Sequence, residues 1–155
     1  MDFISENIIE SIAEEIGASE ENFKEALLEF NTEQPSLTAY IFSENFDLLT
    51  QPEKEYFLFL VLVIFFSVKN EGGGLDAISE EAIGKAEENN WTSLSEVKSK
   101  KFRERMNVFF EGYDQEDLLA FVEDSLSEEE EETVTKVGRE PMFVALKSII
   151  DCLCF

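Results

Sequence analysis

Histidine is absent from this chain of 155 residues, and cysteine, proline and glycine number only two, three and seven. Without histidine the usual neutral-pH proton shuttle is missing, and so is the commonest metal ligand. Nucleophilic sites of the Ser–His and Cys–His types are therefore excluded, as are helical di-iron centres built on glutamate–histidine pairs. Both cysteines, Cys152 and Cys154, stand two residues apart at the end of the sequence. Such a pair builds no disulfide framework, which points to a reducing, cytoplasmic setting. The opening MDFISENIIE lacks the basic start and long apolar run of a secretory leader, so none is expected.

Basic residues are scarce too: twelve stand against 35 acidic ones, a formal net charge of −23. A field of that sign repels nucleic acid and anionic membranes, so neither is expected as a direct partner. A protein partner held by charge should instead present a basic surface. Yet 44% of the residues are hydrophobic, with fifteen phenylalanines, which is enough for a packed interior. At this length folding buries about two-thirds of the unfolded chain's surface, so a single domain over 1–155 is expected.

The longest apolar run is YFLFLVLVIFFSV, Tyr56 to Val68, interrupted only by Ser67. As a helix it would reach about 20 Å, short of the roughly 30 Å hydrocarbon core of a bilayer. Pro52 and Glu53 supply a helix start, and Lys69-Asn70 followed by three glycines supplies a stop. A strand usually runs only about 4–8 residues, so the run predicts a helix over 51–70. A helix apolar all round has to be surrounded by others.

The remaining punctuation is helical. Ser19, Ser36, Thr50, Ser79, Ser93, Asp114 and Ser127 each precede a helix-like segment, and three of them fit a capping box: Thr50 with Glu53, Ser93 with Glu96, and Ser127 with Glu130. The predicted helices lie near 2–16, 20–33, 36–48, 51–70, 79–90, 93–112, 115–126 and 128–153. Pro141 should break or kink the last of them. No alternating strand pattern and no internal repeat is evident. The expected fold class is all-α, a bundle of seven to eight helices around the central apolar one.

Two rows of acids recur every four residues: Asp2, Glu6, Glu10 and Glu14, then Glu21, Glu25, Glu29 and Glu33. Each row is a line of like charge on one helix face, costing a few tenths of a kcal/mol per neighbouring pair. A solvated face opposite Ile4, Ile8, Ile12 and Ile16 accounts for the first row. The functional alternative is an acidic surface for a basic partner, or phosphate-like rows in a DNA mimic.

Five of the twelve bases fall within KSKKFRER, Lys98 to Arg105. On one helix, Lys98, Lys101 and Arg105 would share an arc with Leu94, Val97, Phe102, Met106 and Phe109. Cations there must reach water or meet carboxylates. Arg105, with its planar guanidinium, is a candidate for an acidic ligand, and so is Arg139 at the Gly138–Pro141 break; internal pairing with a surplus acid is the alternative. No metal or cofactor is expected. SEEEEE, Ser127 to Glu132, has five consecutive glutamates but not the glycine-turned spacing of a calcium loop. EGGGLD lacks the Gly-Lys-Ser/Thr of a phosphate loop. CLCF fits a prenylation pattern literally, but no basic stretch precedes it, and one cysteine pair cannot complete a zinc site.

The function expected is thus a small acidic cytoplasmic module that binds a basic protein without catalysis, as an inhibitor or immunity-type protein would. The alternatives are a DNA-mimic inhibitor, or an all-helical ligand binder or enzyme with a pocket at Arg105, Lys101, Lys98 and Arg139. No catalytic pair stands out among the many carboxylates. Homo-oligomerisation through Phe109, Phe110 and the terminal CLCF is left open.

Overall fold

The computed structural model describes residues 2–72, 75–127 and 133–155. Among these the chain is all-helical: α1 (Glu6–Gly17), α2 (Glu20–Glu33), α3 (Pro35–Ile41), α4 (Gln51–Gly72), α5 (Glu80–Ser95), α6 (Phe102–Phe110), α7 (Glu116–Ser127) and α8 (Lys136–Cys154), with a single 3-10 turn over Glu44–Phe46. The glutamate run at 128–132, and with it the expected Ser127–Glu130 box, lies outside the described residues. Among the described residues no helix is long and apolar enough to cross a membrane.

The apolar run becomes the middle of α4, with Leu60 through Phe65, Ser67 and Val68 all buried. Its equal partner is α8, where every residue from Met142 to Ile150 is buried. These two helices pack on each other and form the axis; α1 and α2 cover α4, while α5 and α7 cover α8. Each large apolar side chain so buried contributes about 1.5–3 kcal/mol. Phenylalanines interlock across the seams: Phe30 meets Phe65 edge-on at 5.1 Å, and Phe109 stacks on Phe143 at 5.7 Å.

Glu53 joins the two axial helices at their start. The expected box forms, with Thr50 N donating to Glu53 Oε1 at 2.8 Å and Glu53 N donating to Thr50 Oγ1 at 3.2 Å. The other carboxylate oxygen accepts from both the amide and the hydroxyl of Thr135, each at 3.0 Å. Thr135 in turn caps α8 by accepting from Gly138 N at 3.0 Å. Burial pushes the Glu53 carboxyl up, but these bonds from Thr50 and Thr135 outweigh it and hold it below the ordinary carboxylate range. A side chain at Gly138 would not fit, because a Cβ there would lie 2.2 Å from Glu53 Oε2.

Several boundaries differ from expectation. Residues 2–5 are not helical: the buried Gln115 side chain accepts from Ile4 N and donates to Asp2 O, holding this stretch as a β-partner would. Ser93 does not start a helix, because α5 continues to Ser95 and buries Asn90 and Leu94 on one face. The basic cluster is accordingly split, and Lys98 through Lys101 precede α6 rather than riding on it. Pro141 does not break α8. With the cap at Thr135 it falls in the second turn, where the missing amide forfeits a single helical bond.

Candidate functional site

A groove of about 610 Å3 runs between α3 and α5. On α5, Glu80, Gly84, Glu87, Glu88 and Trp91 recur at spacings of three and four, so they share the face turned to the groove. Tyr40 lines the opposite wall, with Ser43 beyond it. Among the described residues no cation lines the groove, while three carboxylates do. Tyr40 donates its hydroxyl to Glu87 Oε2 at 2.5 Å, and its ring meets Phe46 edge-on at 5.3 Å. Burial, reinforced by Glu87, pushes the Tyr40 phenol well above its usual range, so it stays a donor at neutral pH. Trp91 is 37% exposed, and the buried Ser43 Oγ has no hydrogen-bond partner among the described residues.

The groove's walls are set by buried amide side chains. Gln34, fully buried at the α2–α3 junction, donates to Asp76 O at 2.9 Å and accepts from Ile78 N at 2.8 Å. It thereby fixes the segment leading into α5 beside α3. From α5's other face, Asn90 donates to Ser148 Oγ at 2.9 Å and to Asp151 Oδ2 at 3.0 Å. Lys147, 7% exposed, completes this knot, donating to Asn90 Oδ1 at 2.9 Å and Asp151 Oδ2 at 2.9 Å. Its ammonium lies between the rings of Phe109 and Tyr113, at 5.1 and 4.8 Å, and Tyr113 donates its hydroxyl to Asp151 Oδ1. Burial, with Asp151 alongside, pushes the Cys152 thiol up to about 11 and Cys154 up to about 12, so neither is a reactive thiolate at neutral pH.

The residues singled out in the sequence are scattered over the fold. Asp2, Glu6, Glu10 and Glu14 are all exposed, as are Glu21, Glu25 and Glu29. Glu33 is half-buried, and Lys69 bridges it to Glu29, with contacts of 2.5 and 3.2 Å, so the second row is neutralised at its end. Arg105 is engaged internally: Nε and one terminal nitrogen hold Glu140 at 2.8 and 3.1 Å, and the other terminal nitrogen donates to the carbonyls of Val97 and Ser99. Lys98 is exposed, whereas Lys101 and Arg139 line a common cleft. Phe109 belongs to the core, and Phe155 is exposed. Since Arg105 ties the 97–99 segment to α8, Arg105→Ala is expected to lower stability by about 2 kcal/mol, read as a lower urea midpoint with the slope unchanged.

Neither Tyr40 nor Trp91 was legible as a site residue, nor were Glu80, Glu87 and Glu88. The 3.6-residue spacing of the α5 acids with the chain's single tryptophan was the signal available. No protein-family profile matches the chain, and neither does any curated protein or solved structure.

Proposed function

We propose that the protein is a binding module that receives a lysine- or arginine-bearing segment of a basic partner protein in the α3–α5 groove, without catalysis. The observation that carries this reading is the meeting of Glu80, Glu87 and Glu88 with Tyr40 and Trp91 in one concavity that no cation lines among the described residues. A carboxylate neutralises an ammonium or guanidinium, and an aromatic face attracts it further. The long-range field of a −23 chain speeds the encounter, and the groove supplies the local fit. The DNA-mimic alternative draws less support, because Lys69 interrupts the second acidic row where a phosphate run would continue.

Trp91, the single tryptophan, reports on the groove directly. Titration with an arginine-rich peptide is expected to shift its fluorescence, with affinity falling as salt rises. Glu80→Gln with Glu88→Gln, both exposed positions, should weaken binding about tenfold, from two charge pairs of roughly 0.2–1 kcal/mol each. Glu10→Gln with Glu14→Gln should leave it nearly unchanged. Equal losses from the two pairs of changes would overturn the assignment to the groove.

A further inference from the structure

At the other end of the charge scale, a cleft of about 520 Å3 opens where α7 ends and α6 and α8 begin. Lys100, Lys101, Arg103, Lys136 and Arg139 line it, and Glu140 is the only carboxylate among the described residues that does. Glu140 is already held by Arg105, and Arg103 is drawn to Glu123 at 2.7 Å and Asp124 at 3.3 Å. Lys100, Lys101, Lys136 and Arg139 have no ion-pair partner among the described residues. The Arg139 guanidinium lies 5.3 Å from the centre of the Phe102 ring, and its buried Nε makes no hydrogen bond among the described residues.

In a chain with 35 acids and twelve bases, four neighbouring cations with no carboxylate partner among the described residues stand out. A buried guanidinium nitrogen with no acceptor is costly to maintain unless a ligand supplies one. The first turns of α6 and α8 both lie at the cleft, so the positive ends of their dipoles add to the field.

We propose that this cleft binds a small ligand bearing two phosphate groups. Each phosphate carries about −1.5 to −2 charge at neutral pH, so two match the four cations that lack an ion-pair partner among the described residues. Arg139, with its guanidinium over the Phe102 ring, offers the fork that phosphate oxygens accept bidentately. The ligand must be small: anything extended, such as nucleic acid or an anionic membrane, meets the repulsion of the remaining surface. The cleft volume falls within the roughly 300–1,000 Å3 typical of small-molecule sites.

Calorimetric titration of the full chain with inorganic pyrophosphate tests this, with inorganic phosphate as the single-group comparison. Pyrophosphate is expected to bind at least tenfold more tightly than phosphate. The exposed pair Lys101→Gln with Lys136→Gln should lose at least tenfold in pyrophosphate affinity with an unchanged circular dichroism spectrum. Arg139→Lys, which keeps the charge but not the fork, should lose several-fold, whereas Lys24→Gln with Lys85→Gln should lose nothing. Absence of pyrophosphate binding by the native chain, equal affinity for one and two phosphates, or retention of affinity in the Lys101/Lys136 variant would each overturn the assignment.

Discussion

Glu53→Ala is expected to lower the unfolding free energy by about 3–5 kcal/mol, since one carboxylate serves three donors and bonds to a charged group are worth about 1.5–3 kcal/mol each, with partial additivity. The loss falls on both axial helices, because Thr50 and Thr135 stand at the starts of α4 and α8. Glu53→Gln should recover little of it, as its NH2 must face an amide or hydroxyl that is itself a donor. The effect has a defined pH dependence. The folded carboxyl titrates below its unfolded value, so its stabilisation is fully present above the unfolded pKa and fades as pH falls through the folded one. The gap between native and Glu53→Gln midpoints in urea should therefore be widest near neutrality and close below about pH 4. A gap that widened on acidification would contradict this.

Gly138 supplies an internal control. Alanine there gains about 1 kcal/mol of helix propensity, but in the native background its Cβ collides with Glu53 Oε2. Gly138→Ala should thus destabilise the native chain and become neutral or stabilising once Glu53 is alanine, with only the flexible end of Leu49 still close. That reversal of sign, read from a double-mutant cycle, distinguishes a steric dependence on Glu53 from an intrinsic need for glycine.

The second large effect is expected at Lys147. Lys147→Met should cost about 3 kcal/mol, because it leaves the Asp151 carboxylate beside apolar rings without its cation. Adding Asp151→Asn should restore part of the loss: the amide oxygen still accepts from Tyr113, and no uncompensated charge remains. If the double variant were less stable than Lys147→Met by the full cost of a second independent lesion, the pair would not act as a unit. Because Asn90 hangs from the same knot, Lys147→Met should also loosen α5, and with it the groove wall carrying Glu87 and Trp91.

The elements legible in the sequence were those fixed by local signals. Helix α4 could be read from thirteen nearly unbroken apolar residues and a box three residues wide, and α2 from Ser19 and its amphipathic pattern. What escaped depends on distant pairs. Glu53 reads as a cap for Thr50, but its second duty involves a threonine 82 positions away. Ser93 carries a fair capping signature, yet burial of Leu94 draws the helix past it, so packing overrides the local option. Gln115 suppresses helix at 2–5 across a separation of 111 residues. The acidic balance of the chain was plain from composition, but Tyr40 and Glu87 meet across 47 residues and belong to neither acidic row. The basic cluster was visible as a run; that Arg105 would be consumed by Glu140, leaving Lys101 and Arg139 to share a cleft, depended on where α8 begins.

The acidic groove is most directly tested by mapping backbone amide shifts, residue by residue, while an arginine-rich peptide is added at moderate salt. Shifts concentrated on Tyr40, Ser43 and the face of α5 from Glu80 to Trp91 are the predicted result. Shifts spread along the exposed acids of α1 and α2, with α5 unmoved, would show that charge alone attracts the peptide and that the groove takes no part.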